Sequence, residues 1–270
     1  MRLSVFLVGL LNSEPADSVN HILASYILNH LPEMVHMGLG DLAEQCQVSK
    51  TTVSRFCRAL GYRDFYELKY DCYELEGYVP SKIVAPGDND RAFLQAVNQQ
   101  TGQLLSHVSQ KDLDRLAQAL LRYENIAFMG HMESGDVALM LQHDFYCLTD
   151  HINPTDRPTD RVIRVMFRPL EQQQFFQSLR EPTLVVVFSV EGHFFQRLFG
   201  ANRTPKLPAG SMLCLLTSNC PKSPVPVQLH IDTGTKNDFS GRNLSLMLLE
   251  HLLILHCQRL LEADSSSKSP

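Results

Sequence analysis

The sequence predicts two domains of different class, an all-α N-terminal domain and a C-terminal α/β domain with a mainly parallel five-stranded sheet flanked by helices. Three observations carry that prediction. Apolar residues recur at helical intervals through about residue 78. Residues 79–90, VPSKIVAPGDND, interrupt the periodicity with Pro80, Pro86 and Gly87 and read as a linker. Beyond residue 125, short apolar runs alternate with helical stretches, the pattern of βαβ units. A chain of 270 residues that is 44% hydrophobic can fill two cores. The expected boundaries are 1–78, 79–90, 91–262 and a short polar, frayed tail at 263–270.

The start, MRLSVFLVGLL, has one arginine followed by about nine largely apolar residues, as an export signal does. It lacks a small-residue cleavage site, runs directly into Asn12, Ser13, Glu14 and Pro15, and is far too short to span a bilayer. It is expected to be a helix docked on the N-terminal domain. No other segment is expected to reach the length of a membrane span. An amphipathic helix comes next at about 18–31, with Val19, Ile22, Leu23, Tyr26, Ile27 and Leu31 on one face.

Residues 42–61, LAEQCQVSKTTVSRFCRALG, read as two short helices joined by a tight turn. Leu42 and Ala43 on one side and Val53, Phe56 and Leu60 on the other share a small core. Ser49 is placed to cap the second helix, and Gly61 to end it in the left-handed conformation. With Val53 and Phe56 inward, Lys50, Thr51, Ser54, Arg55 and Arg58 lie outward. Between Lys50 and Arg63 there are four basic residues and no acidic ones, in a chain whose net charge is -5. Polyanion binding must therefore come from this patch and not from bulk charge. The pattern is that of a helix-turn-helix reader of double-stranded DNA, with Lys50, Thr51 and Ser54 expected at base edges. Arg55, Arg58 and Thr52, with Ser49 at the cap, are expected to hold or brace the backbone. A further helix is expected at about 64–77, then helices at about 91–108 and 111–122.

The run from Ala24 to Leu68, above all VSKTTVSRFCRALGY at 48–62 and DFYELK at 64–69, resembles the N-terminal domain of the RpiR family of bacterial transcriptional regulators. The departure is Gln47, where many members carry glycine in the turn; a left-handed backbone there costs Gln about 1 kcal/mol. The C-terminal half is similar to the SIS sugar isomerase domain of those regulators, with strands expected at 125–129, 162–167, 183–189, 211–217 and 225–231. TLVVVFS at 183–189 reads as the central strand, buried on both faces.

The resemblance implies a sugar-phosphate effector held by the loops after the first and third strands. The first pattern, G-x-G-x-S, is met by Gly130, His131, Met132, Glu133 and Ser134, with Met132 in place of the second glycine. The second, S-x-S-G-x-T, is met by Ser189, Val190, Glu191, Gly192, His193 and Phe194, without the second serine and the threonine. Gly130, Ser134, Ser189, Glu191, Gly192 and His193 are thus the candidate effector residues. Glu191 puts a carboxylate where a hydroxyl donor is expected, and like charges repel in a partly dry site. The alternative is a domain that has lost phosphosugar binding and serves only pairing or another ligand. An isomerase would find a general base among His131, Glu133, Glu191 and His193; the attached DNA-binding module favours a regulatory domain and no enzyme.

Seven scattered cysteines without C-x-x-C spacing read as reduced, mostly buried thiols, and hence a cytoplasmic protein. His131, Glu191 and His193 would have to converge from two loops to hold a metal, so no metal and no cofactor is expected. The last helix, about 240–261, is apolar on more than one face and is expected in the core or at a subunit interface. The chain is accordingly expected to form a homodimer or tetramer presenting paired reading helices to operator DNA.

Overall fold

The computed structural model describes residues 3–76, 90–130, 133–150, 161–166, 169–189, 192–200, 205–217, 227–234 and 244–267. The chain divides into two compact units, Met1–Lys82 and Ile83–Pro270. The segment 79–89 of the expected linker lies outside the described residues.

The first unit contains α1 (Leu3–Ser13), α2 (Val19–Asn29), α3 (Leu31–Met34), α4 (Leu39–Gln45), α5 (Lys50–Ala59) and α6 (Phe65–Glu76). α1 packs on α2 and α6, burying Leu3 and Leu7 in one core with Leu23, Ile27, Leu42, Val53, Phe56 and Leu68. Ser18 caps α2 by accepting from the His21 N–H at 3.1 Å. The helix expected at about 18–31 is α2, and a separate short helix, α3, follows it. α2 stops at Asn29, where His30 stacks on Tyr26 with ring centroids 4.1 Å apart. Pro32 then stands in the first turn of α3, where a missing N–H costs nothing; inside a continuous helix it would break the ladder.

The second unit is a five-stranded, wholly parallel sheet in the order β2-β1-β3-β4-β5. After α7 (Asp90–His107) and α8 (Gln110–Arg122) come β1 (Asn125–Gly130), α9 (Glu133–Asp150), β2 (Val162–Met166) and α10 (Pro169–Ser178). They are followed by β3 (Thr183–Phe188), α11 (Phe194–Phe199), β4 (Met212–Thr217), β5 (Leu229–Asp232) and α12 (Leu244–Ser267). Alternation along the strands feeds two cores. Ile126, Phe128, Leu184 and Val186 meet α8, α9 and α12, whereas Ala127, Met129, Val185 and Val187 meet α10 and α11 through Phe176, Phe194 and Phe195. β3 is buried at all six positions, as its unbroken apolar run requires.

Two ends differ from expectation. β5 is described from Leu229, since its pairing with β4 begins at Cys214↔Leu229; residues 225 and 226 lie outside the described set. α12 runs to Ser267 through the polar segment expected to fray, because no Gly or Pro interrupts it before Pro270. α12 also corrects the expectation that no further segment reaches a membrane span. Leu244–Asp264 has the length and the mean hydropathy, 1.4, by composition alone. Its Leu246, Leu249, Leu253 and Cys257 are buried in the core where α12 packs on α8 and α9, whereas Leu248 and Leu255 are exposed. Of the cysteines described, five are buried and Cys147 is exposed. Burial pushes the Cys57 thiol up to about 11 and the Cys72 and Cys257 thiols to about 12, so these are inert packing groups.

Candidate DNA-reading helix and effector loops

α4 and α5 end in the same way. After α4, the Val48 N–H reaches the Ala43 carbonyl at 2.8 Å and the Gln47 N–H the Glu44 carbonyl at 3.0 Å. After α5, the Tyr62 N–H reaches the Cys57 carbonyl and the Gly61 N–H the Arg58 carbonyl, both at 2.9 Å. Each is a Schellman closure with its turning residue left-handed, Gly61 at φ 80° and Gln47 at φ 54°. Gln47 is the single non-glycine residue with positive φ among the described residues. The tight turn at this position, which sets the angle between the two helices, is thus kept without the residue that suits it. Gln47→Gly is expected to stabilise the chain by about 0.5–1 kcal/mol, the relief of strain exceeding the added freedom of the unfolded chain. Urea titration checks it; a loss of stability contradicts the strain.

α5 is capped by Ser49, whose Oγ accepts from the Thr52 N–H at 3.0 Å and lies 2.8 Å from the Thr52 hydroxyl. Ser49 and Thr52 are therefore engaged with each other at the helix start. Val53, Phe56 and Cys57 face the core, leaving Lys50, Thr51, Arg55 and Arg58 exposed and Ser54 partly so. The Lys50 chain lies across Gly40, where an added Cβ would sit 3.1 Å from its Cε; Gly40 thus lets Lys50 lie close against α4. Arg63, counted with the basic run, is paired with Asp64 at 3.3 Å. Lys50, Arg55 and Arg58 make no ion pair with a described residue, and their three charges point outward from one helix.

In the second unit, β1 and β3 are neighbours in register, Gly130 opposite Phe188. β1 and β3 lead to loops at the point where the strand order reverses, the place where open parallel sheets hold ligands. Gly130 closes β1 where an added Cβ would lie 2.5 Å from the Ser134 carbonyl carbon and 2.6 Å from the Gly135 nitrogen. Ser134 stands in the first turn of α9 and is buried. After β3, the Ser189 N–H donates to the Leu216 carbonyl at 2.9 Å, and the Gly192 N–H returns to the Ser189 carbonyl at 3.2 Å. Gly192 is left-handed at φ 69°. His193 precedes α11 without a side-chain cap. His131, Met132 and Glu191 lie outside the described residues, as does the Glu133 side chain.

Three polar residues at this edge were not singled out in the sequence. Gln172 of α10 is fully buried and donates to the Met166 carbonyl at 2.8 Å and the Gly130 carbonyl at 3.3 Å, tying β1 and β2 together. Thr217 and Thr233 end β4 and β5, both buried, with the Thr233 N–H on the Thr217 carbonyl at 2.9 Å. The two threonines stand at the ends of apolar strands, a signal visible only once the strand ends are known. No group of three metal-ligating side chains is arranged to hold an ion among the described residues.

A capped helix with an open cationic face, set by a tight turn on a second helix, defines a helix-turn-helix protein of the DNA-reading class. Residues 12–78 match the helix-turn-helix domain of the rpiR family, and this segment is an RpiR-type helix-turn-helix domain. It is 27% identical over 128 residues to an uncharacterized HTH-type transcriptional regulator of Caldanaerobacter subterraneus subsp. tengcongensis, covering 43% of this chain and 44% of that one. It is 28% identical over 245 residues to the HTH-type transcriptional regulator HexR of Pseudomonas aeruginosa, covering 85% of this chain and 80% of that one. The chain thus spans under half of the first relative and four-fifths of the second. The structure of the Vibrio vulnificus NanR protein complexed with ManNAc-6P aligns over 98% of this chain and 94% of that one, with a TM-score of 0.50 at 16% identity, a likeness of fold.

Proposed function

We propose that this chain binds operator DNA through α5 and controls genes of carbohydrate metabolism, its C-terminal domain sensing a sugar phosphate or related metabolite. The observation that carries it is the outward face of α5, where Lys50, Thr51, Arg55 and Arg58 are exposed on a capped helix in an otherwise acidic chain. Residues 1–78 form the reading domain, 79–90 the linker, and 91–262 an SIS-like domain for effector binding and pairing. Thr51, Lys50 and Ser54, nearest the start of α5, meet base edges. Arg55, Arg58 and the Ser49–Thr52 cap hold phosphates. The protein works in the cytoplasm as a homodimer or a dimer of dimers on an inverted repeat, with reading helices roughly 34–36 Å apart or a multiple of that.

The effector reading rests on Gly130, Ser134, Ser189, Gly192 and His193, gathered at the ends of adjacent strands. Glu191 opposes a phosphate, which favours a ligand that is less anionic or held farther from this loop. A regulator of this kind needs no turnover, so the domain is not an isomerase; conversion of a ketose or aldose phosphate by the purified chain would contradict this.

The test of DNA binding is retardation of the chain's own upstream DNA over a salt series, in which log K falls steeply with log salt if several phosphates are neutralised. Flat salt dependence or no retardation overturns the reading. For the effector, thermal shift against sugar phosphates and amino sugars is expected to yield one compound that adds about 2.7 kcal/mol at a hundredfold excess over its Kd. A panel without a single stabiliser removes the sugar-phosphate reading.

A further inference from the structure

Gly40 is the second residue of α4, and nothing in its backbone asks for glycine. Its φ is not positive, and in a helix glycine is less favourable than alanine because it has more freedom to lose. What singles it out is the neighbour across its bare Cα. A Cβ added there would lie 3.1 Å from Cε and 3.3 Å from Nζ of Lys50, closer than the roughly 3.5–4.0 Å at which such atoms rest. Lys50 opens α5. The space left by a missing side chain on one helix thus holds the end of the first side chain of the next.

The frame around Gly40 is fixed from several sides. Lys69 of α6 donates from Nζ to the Met37 carbonyl at 3.0 Å, just ahead of α4. The Gly38 N–H donates to Asp41 Oδ2 at 2.7 Å, which closes the first turn. α4 packs on α5, and the left-handed residue Gln47 stands in the turn between them. Lys50, by contrast, is exposed and carries its ammonium on a flexible four-carbon stem. Of the two partners in this contact, the lysine is the one able to move.

Electrostatics does not hold Lys50 there. The start of a helix carries partial positive charge, so an ammonium beside the first turn of α4 and at the head of α5 is disfavoured by both. The contact exists because there is room, and the stem gains cover by lying against α4. Gly40 confines the Lys50 tip to the α4 side of the reading helix.

We propose that Gly40 is a positioning residue for DNA reading: by leaving room for the Lys50 stem, it sets the base pair that Lys50 discriminates. The proposal rests on the reading of α5 as the DNA-binding helix and of Lys50 as a contact to a base edge. A lysine is a compact charge on a pliable chain, so its selectivity depends on where the stem is held. With a methyl group on Gly40, the stem turns away from α4 and the tip reaches different atoms of the groove.

Gly40→Ala, Lys50→Ala and the double variant, each as the full chain, form the test. Retardation is measured on the chain's own upstream DNA and on versions with single base-pair changes, beside urea titration. The displaced atoms are the free end of a side chain, so Gly40→Ala is expected to keep its urea midpoint or raise it. Its affinity for the unaltered DNA is expected to fall by about fivefold or more, the lower end of what one contact to a base edge contributes. Discrimination is expected to be lost at the base pair where Lys50→Ala loses it. In the Lys50→Ala background, Gly40→Ala is expected to do nothing further, because the two act through one side chain. Gly40→Ser places the same Cβ in the same space and repeats the test should alanine unfold the domain.

Unchanged affinity and selectivity in Gly40→Ala overturn the proposal while the reading of α5 stands. An equal loss with and without Lys50, or a lowered urea midpoint that the double variant shares, makes Gly40 a packing residue and also overturns it. Failure of Lys50→Ala to change affinity or selectivity overturns the reading of Lys50 itself, and the proposal with it.

Discussion

Replacing Lys50 and Arg55 by alanine is expected to abolish retardation of operator DNA while the chain stays folded. Both side chains are exposed, so removing them leaves the core formed by Val53, Phe56 and Cys57 untouched. A well-placed basic contact to a base edge is worth about 1–3 kcal/mol, and on an inverted repeat each substitution is felt twice. Losing Lys50 from each of two reading helices removes roughly 2–6 kcal/mol by the same count, and losing Arg55 removes a phosphate contact from each as well, which together cover much of the margin between specific and non-specific binding. The single variants separate the roles. Arg55→Ala is expected to weaken all sequences alike and flatten the salt slope by about one per copy, the mark of a phosphate contact. Lys50→Ala is expected to relax specificity at one position. Circular dichroism and the urea midpoint check that the fold is kept. Undiminished retardation by the folded double variant contradicts α5 as the reading helix.

Gly130→Ala is expected to destabilise the C-terminal domain by about 3 kcal/mol or more, the upper end for overpacking. The added methyl would lie 2.5–2.6 Å from backbone atoms of Ser134 and Gly135. Nothing there is the free end of a flexible side chain. Relief requires α9 to move away from β1, and α9 packs on β1, β2, β3 and α12. The Gln172 bond to the Gly130 carbonyl would be strained with it. Urea titration followed by tyrosine fluorescence or far-ultraviolet dichroism measures the loss; a change under about 1 kcal/mol, the level of an ordinary substitution, would show that the approach of β1 to α9 is soft. The glycine of the first loop is thus a packing requirement before it is a ligand-binding one. Its presence alone does not argue for a phosphate.

Much of the fold was legible because its causes are local. Ser18 and Ser49 cap the helices that come after them, Gly61 turns left-handed after α5, and the unbroken TLVVVF lies in the centre of the sheet. Gln47 was legible as a problem, since the turn asks for glycine, and its φ shows the turn kept at the cost of strain. The failures also have local reasons. Pro32 opens a short α3 that was not foreseen, and α12 continued past the apolar face that marked its expected end. Of the candidate sites, the reading helix was legible as a face, since spacing decides which residues point outward. Its internal bonds were not: the Ser49–Thr52 contact fixes two hydroxyls at the helix start, and the Arg63–Asp64 pair takes one cation out of the set that composition offered.

By itself, the sequence determined the order of elements, the two-domain plan and the cationic face of α5, because helical period, strand alternation, caps and turns act over a few residues. Only the tertiary structure decided what depends on distant residues meeting. Gly130 is required because Ser134 and Gly135 return over β1, and Gln172 matters because it reaches the ends of two strands. Glu250, one acid in a greasy helix, is buried only because α8 and α9 pack over α12, and that burial pushes its carboxyl up to about 7.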